Sequence, residues 1–313
     1  MAVDRTPDPL VSVVVPVLDE AESIPRLLPA IAEALAGIRY EVVFVDDGST
    51  DATLAIIRAA AAGDPRIRAL SLSRRFGKEA ALSAGLDAAR GDVVVPMDAD
   101  LQDPPALMPA MLARWREGFD VVYGQRVVRG DGWAKRLSAG TFYRLFNRVS
   151  DTRIPADVGD FRLMDRRVVE VIRNLPERSR FMKGIFAWVG FPTASVPYDR
   201  PIRDAGKSKW PLWRLWNFAL DGITAFSTVP LRVWTYFGGL VALFAFLYAI
   251  FIVLRVMILG IDLPGYPSLM AVVLFLGGVQ LISLGVMGEY IGRLVVEAKQ
   301  RPLYIVAERI PVN

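Results

Sequence analysis

Three aspartates crowd the end of one apolar run. In DVVVPMDADLQDPP, residues 92–105, Asp98, Asp100 and Asp103 follow the stretch from Val93 to Met97. A β-branched run bounded by Gly91 and by prolines reads as a central strand of a parallel sheet, buried on both faces. Open α/β sheets place their ligands at the carboxyl ends of such strands. Asp98 and Asp100 are two residues apart, so an extended backbone projects them from the same side. Two carboxylates so placed can hold one hard divalent cation, and Mg2+ or Mn2+ fills the rest of its shell with phosphate oxygens and water. The same spacing also fits a polar turn ahead of a helix opening at Pro104 and Pro105, so the rest of the chain must decide.

A second acidic pair, Asp46 and Asp47, ends the apolar run 41–45 in VFVDDGSTD. Gly48 permits a tight turn there. A carboxylate at that edge can accept hydrogen bonds from a nucleobase N–H or a ribose hydroxyl. Helix capping explains Ser49, Thr50 and Asp51, which are expected to cap the helix that follows, but not two adjacent aspartates. The chain of 313 residues has no cysteine and no histidine. Disulfides, thiolate metal sites and the commonest general base are therefore excluded. Acid–base work falls to carboxylates, lysine, tyrosine or the substrate. The net charge of +4 is modest, and no nucleic-acid partner is expected.

The elements that must carry these residues alternate. Apolar strands are expected at 11–15, 41–45, 67–72, 93–97 and 121–123, with helices at 23–35, 52–61, 78–89 and 106–117. This is the βαβ pattern of a mostly parallel sheet. Residues 130–198 are less legible: a basic helix over 133–148, a strand over 160–164 and a short helix over 166–174.

From Lys209 the chain changes character. KWPLWRLWNFALDGITAFSTVPL, residues 209–231, sets Trp210, Trp213 and Trp216 beside Lys209 and Arg214. That suits a helix lying among lipid headgroups. Residues 233–254 and 269–287 are apolar and nearly uncharged, and about 20 residues suffice to cross a ~30 Å hydrocarbon core. Lys207, Lys209, Arg214 and Arg232 precede the pair, and Arg293, Lys299 and Arg301 follow it. Both flanks are therefore expected in the cytoplasm and the connector GIDLPGYPS outside, with Arg255 reaching to the far interface. The amino terminus has no apolar signal-peptide region and is expected to stay cytoplasmic.

Four segments then occur in a telling order: VVVPVLDE (13–20), VDDGSTD (45–51), RRFGKEAALSAGLDAARGD (74–92) and MDADLQDPP (97–105). Together they resemble the signature of family 2 glycosyltransferases with the GT-A fold. GDFRLMDRR (159–167), GKSKW (206–210) and YIGRLVVEAKQRPLYIVAE (290–308) are similar to the polyprenyl-phosphate (bactoprenol) glucosyltransferase branch, related to dolichyl-phosphate mannose synthases. The resemblance implies that Pro16, Leu18, Glu20, Asp47, Lys78, Asp98, Ala99 and Asp100 border a nucleotide sugar. Asp98 and Asp100, with Gln102, would hold Mg2+ or Mn2+ on its diphosphate. The implied acceptor is a lipid phosphate, whose second pKa of about 6 leaves it largely a dianion at neutral pH. Such an acceptor needs cations more than a base. Arg126, Lys135, Arg136, Arg203, Lys207 and Lys209 are the candidates, each also explicable as a solvated or lipid-facing charge. Asp157 and Asp160, in ADVGDFRL, fall where sugar-acceptor relatives carry a catalytic base. With Asp100 they form the candidate catalytic set, although a turn before a strand explains them too. Direct displacement would invert the anomeric centre.

The expected organisation is a cytosolic GT-A catalytic domain to residue 208, interfacial helices over 209–232, a membrane hairpin over 233–290 and a cytosolic tail over 291–313. The implied activity moves glucose from UDP-glucose to undecaprenyl or a similar polyprenyl phosphate, at the plasma (inner) membrane, and is compatible with a homo-oligomer. Mannosyl transfer from GDP-mannose and aminosugar transfer are rivals. A non-catalytic flippase subunit is a rival of another class, disfavoured by the intact DAD and DDGSTD and by only two spans.

Overall fold

The computed structural model describes residues 5–126, 158–178, 180–198, 227–259 and 265–311. In chain order these form β1 (Val11–Val17), α1 (Ile24–Ala34), β2 (Tyr40–Asp46), α2 (Thr53–Gly63), β3 (Ile67–Leu72), α3 (Lys78–Ala88), β4 (Val93–Pro96) and α4 (Met108–Arg116). There follow β5 (Val121–Arg126), β6 (Val158–Asp165), α5 (Arg166–Arg173), α6 (Met182–Trp188), β7 (Thr193–Tyr198), the long helices α7 (Val229–Leu259) and α8 (Tyr266–Lys299), and β8 (Val306–Ile310).

The strands join in one sheet in the order β7-β5-β6-β4-β1-β2-β3-β8. β4, β1, β2 and β3 run parallel. β6 is antiparallel to β4 and β5, and β8 is antiparallel to β3. Alternate side chains explain why the central strands are apolar throughout. Val13, Val15 and Phe44 meet Ile24, Leu27 and Ile31 of α1 on one face, while Val14, Val43 and Val94 meet Leu82 and Leu86 of α3 on the other. Each such side chain, fully buried, contributes about 1.5–3 kcal/mol. Helix α3 turns Gly85 toward the sheet, where an added Cβ would lie 2.2 Å from Val14 Cγ1. The glycine thus allows α3 its close seat on β1, with Lys78 at its amino end beside the strand ends. The chain leaves β1 toward β2 and β3 and returns on its other side as β4. That reversal opens a crevice at the carboxyl ends of these strands.

The strands read from apolar runs fall within a few residues of the expected bounds. Three elements were not foreseen: α6, β7 and β8. The last of these changes the reading of residues 291–313 as a tail, because residues 306–310 complete the sheet edge. The capping expectation also changes. Ala52 is the N-cap of α2 and no side chain caps it there, although Asp51 Oδ1 accepts the Thr53 N–H at 2.9 Å. Ser49 and Thr50 instead tie the β2 turn to the β1 turn: Ser49 Oγ accepts the Asp19 N–H at 3.0 Å, and Asp19 Oδ1 accepts the Thr50 N–H at 2.8 Å.

Helices α7 and α8 contain spans, Leu231–Ile252 and Leu269–Lys299, long and apolar enough to cross a membrane, and their hydrophobic windows are not buried in the protein. Helix α8 extends past the expected residue 287 to Lys299. Its charged end is held partly by Arg293 and Glu289, 3.1 Å apart. Tyr290 donates its hydroxyl to the Ser227 carbonyl at 2.7 Å, joining α8 to the start of α7.

Candidate active site

The turn after β2 is built around two buried carboxylates. Asp46 accepts the Ser49 N–H at 3.0 Å and the Ser71 hydroxyl at 3.1 Å. Asp47 is 4% exposed and accepts the N–H groups of Phe76 and Gly77 at 2.7 and 2.9 Å. Asp47 therefore pins the loop 74–77 to the end of β2. Gly48 makes the close approach feasible, with φ of 81° and a would-be Cβ 3.0 Å from the Arg75 nitrogen. The pinned loop delivers Arg75 and Lys78 to the crevice.

On the other side of β1, β4 ends at Pro96 and the chain turns. Asp98 and Asp100 reach the crevice, and Leu101 adopts a positive φ of 58°. Asp100 Oδ1 accepts the Gln102 N–H at 3.1 Å, so Gln102 sits beside Asp100 through its backbone. Asp103, the third carboxylate of the motif, is buried and accepts the Tyr198 hydroxyl. Its role there is to anchor β7 under the turn.

Lys78 links the two sides. Its Nζ lies 2.6 Å from Asp98 Oδ1 and 2.8 Å from Asp160 Oδ2, the latter carried by β6. Burial acts to lower the Lys78 pKa, but Asp160 and Asp98 outweigh it and hold the ammonium firmly charged. Burial also acts to raise Asp160; Lys78 and Lys183 outweigh it, so its net shift is downward and it stays ionised. For Asp98 burial wins over Lys78, helped by Asp160 and Asp100, and the net shift is upward. Behind them Glu79 is pushed up to about 7, first by burial and then by Asp160. Burial pulls Arg162 down to about 10; its guanidinium donates to the Gly159 carbonyl at 2.8 Å and lies 4.0 Å over the Phe186 ring.

The crevice encloses ≈ 410 Å³, and Pro16, Leu18, Glu20, Asp47, Lys78, Asp98, Ala99 and Asp100 all line it, with Arg75 added. Glu20 also accepts the Ser23 hydroxyl at 2.5 Å. Arg126 closes β5. Asp157, Lys135, Arg136, Arg203, Lys207 and Lys209 lie outside the described residues, as do the helix expected over 133–148 and residues 209–226. The sequence reading missed Arg75, Glu79, Arg162 and Lys183. Arg75 stood in plain view between a strand and Lys78, whereas the other three become relevant only once β6 and α6 are placed.

A divalent cation fits the donor set in one way. Among the described residues no three acidic side chains gather to hold an ion by themselves. Asp98 and Asp100 supply two oxygens of the kind Mg2+ or Mn2+ prefers and leave most of the shell to phosphate and water. Lys78 now neutralises Asp98 Oδ1, so a metal on that oxygen would share it with the ammonium or displace it.

A crevice at the strand reversal that sets Lys78 and Arg75 beside carboxylates able to hold a divalent cation suits a phosphorylated ligand. Residues 12–173 match the glycosyl transferase family 2 model, and residues 229–294 match the GtrB C-terminal hairpin. The chain belongs to glycosyl transferase family 2; it is a glycosyltransferase with a GT-A-like α/β fold. It is 52% identical over 299 residues to a bactoprenol glucosyl transferase of Shigella phage SfV, covering 95% of this chain and 97% of that one. It is 50% identical over 300 residues to an uncharacterized glycosyltransferase, sll0501, of Synechocystis sp., covering 95% and 94%. Among solved structures it resembles mannosyltransferase PcManGT from Pyrobaculum calidifontis in complex with GDP-Man and Mn2+, at 20% identity and TM-score 0.49 over 94% of this chain and 88% of that one.

Proposed function

We propose that this enzyme moves glucose from UDP-glucose to a polyprenyl phosphate at the membrane surface, with inversion at the anomeric carbon. The observation that carries the reading is the Asp98–Lys78–Asp160 bridge at the crevice edge, in a chain whose later part matches the GtrB hairpin. The bactoprenol glucosyl transferase name carried by several of its half-identical relatives supports both the sugar and the lipid class.

The donor's diphosphate would lie against Lys78 and Arg75, whose charges stabilise it as it departs. Mg2+ or Mn2+, held by Asp98 and Asp100, would act there as a Lewis acid on the leaving group. An oxygen of the acceptor phosphate forms the new bond to the anomeric carbon as the bond to the β-phosphate oxygen of UDP breaks. The acceptor dianion brings no proton to remove, so the absence of histidine is no obstacle. Asp160, kept ionised by Lys78 and Lys183 despite its burial, would stabilise positive charge developing on the sugar ring. Helices α7 and α8 would span the membrane with the catalytic domain on the cytoplasmic side, and tethering raises the effective concentration of a headgroup that cannot leave the bilayer.

The test uses membranes containing the chain, incubated in turn with radiolabelled UDP-glucose, UDP-N-acetylglucosamine and GDP-mannose, with and without EDTA. Label is expected in the organic phase from UDP-glucose and to vanish with EDTA. Label from GDP-mannose alone overturns the donor, and label indifferent to EDTA overturns the metal.

A further inference from the structure

After the hairpin the chain returns to the catalytic domain with little slack. Val296 of α8 is an apolar surface side chain, 52% exposed. The next residue, Glu297, accepts the Arg178 backbone N–H on both carboxylate oxygens, at 2.9 and 3.0 Å. Helix α8 then stops at Gln300, which turns the chain with φ of 47°. Tyr304 donates its hydroxyl to Asp87 Oδ2 at 2.6 Å, and the Ile305 carbonyl accepts the Ser73 N–H at 2.9 Å. Within β8, Glu308 receives Arg58 through Nε at 3.2 Å and Nη2 at 2.5 Å.

Two of these ties fall on the elements that carry the crevice, while Arg178 lies between α5 and α6 and Arg58 on α2. Asp87 lies near the end of α3, the helix that begins with Lys78. Ser73 directly precedes the loop 74–77, which presents Arg75 and supplies the N–H groups on Asp47. Covering the β3 edge would require only β8. It would not require a membrane helix to be fastened to Arg178, or Tyr304 to reach across to α3.

We propose that residues 297–310 act as a bolt, fixing the crevice at a set height and tilt against the end of α8. Glu297, Tyr304 and Glu308 are its positioning residues. A phosphate carried at the bilayer surface then meets the Lys78–Asp98–Asp160 edge in one orientation, whereas a loosely tethered domain would spread its encounters over many. This rests on the lipid-phosphate acceptor proposed above.

The test is a Gly-Ser-Gly-Ser insertion between Gln300 and Arg301 in the full chain, reconstituted in liposomes. Two acceptors are compared: a long-chain polyprenyl phosphate in the bilayer and a short-chain, water-soluble prenyl phosphate. Transfer to the bilayer acceptor is expected to fall by about tenfold or more, with transfer to the soluble acceptor and the donor KM unchanged. Glu308→Arg is expected to give the same split, and adding Arg58→Glu to restore the wild-type pattern. Equal losses with both acceptors in variants that melt at the wild-type temperature overturn the bolt, as does an undiminished bilayer reaction. Wild-type protein that serves neither acceptor overturns the acceptor reading and the bolt with it, which sets that result apart from a failure of the bolt alone.

Discussion

Lys78 is the residue on which the site turns, because it faces Asp98 and Asp160 at once. Lys78→Met is expected to lower kcat/KM for the donor by about 10²-fold, the size of losing one preorganised contact to a developing anion. Lys78→Arg is expected to recover part of that, and steady-state kinetics with soluble acceptor separates the two. Glu79 gives a prediction of a different kind. Its folded pKa of about 7 lies above its ordinary 4.5, so the native state binds the proton more tightly than the unfolded chain. Its contribution to stability is therefore full below the ordinary value and is lost as pH rises through about 7. Melting temperature measured from about pH 5 to pH 8 is expected to fall less in Glu79→Gln than in the wild type. Asp98 and Asp100 were legible in the sequence because they directly follow an apolar strand; the strand ends at Pro96, so it is the turn after it, not an extended spacing, that brings both to the crevice. The Lys78–Asp160 contact was not, since its partners are 82 positions apart and meet only when β6 pairs with β4.

At the scale of elements, the crevice depends on how closely α3 lies on the sheet. Gly85→Ala would drive a Cβ into Val14, and overpacking of this kind costs about 1–3 kcal/mol. Chemical denaturation is expected to show that loss, and displaced Lys78 to raise the donor KM. The parallel strands were readable because burial on both faces leaves unbroken apolar runs. β7 and β8 were not, because they are half-exposed edge strands, TASVPY and VAERI, without a clean alternation. Helix α6, seven residues long, gave too short a period to read. The turn residues misled for a physical reason: Ser49 and Thr50 can cap a helix, but here the neighbouring β1 turn offers Asp19 as a partner.

At the scale of the whole molecule, a crevice built from the first half of the chain is joined to an apolar hairpin and then to a strand that completes its sheet. Truncation at residue 226 removes β8 together with the hairpin and bares the β3 edge. Such a fragment is expected to aggregate and to melt below the full chain, even in detergent. All of this requires that the crevice transfer sugar to a bilayer-bound phosphate. The most direct measurement places the purified full chain in liposomes with polyprenyl phosphate, a divalent cation and radiolabelled UDP-glucose, beside an Asp98→Asn variant of unchanged fold. Label is expected to enter the lipid as a glucosyl phosphate with the wild type and to fall by about 10²-fold or more with the variant. Equal labelling by the two proteins, or none by the wild type, would contradict it.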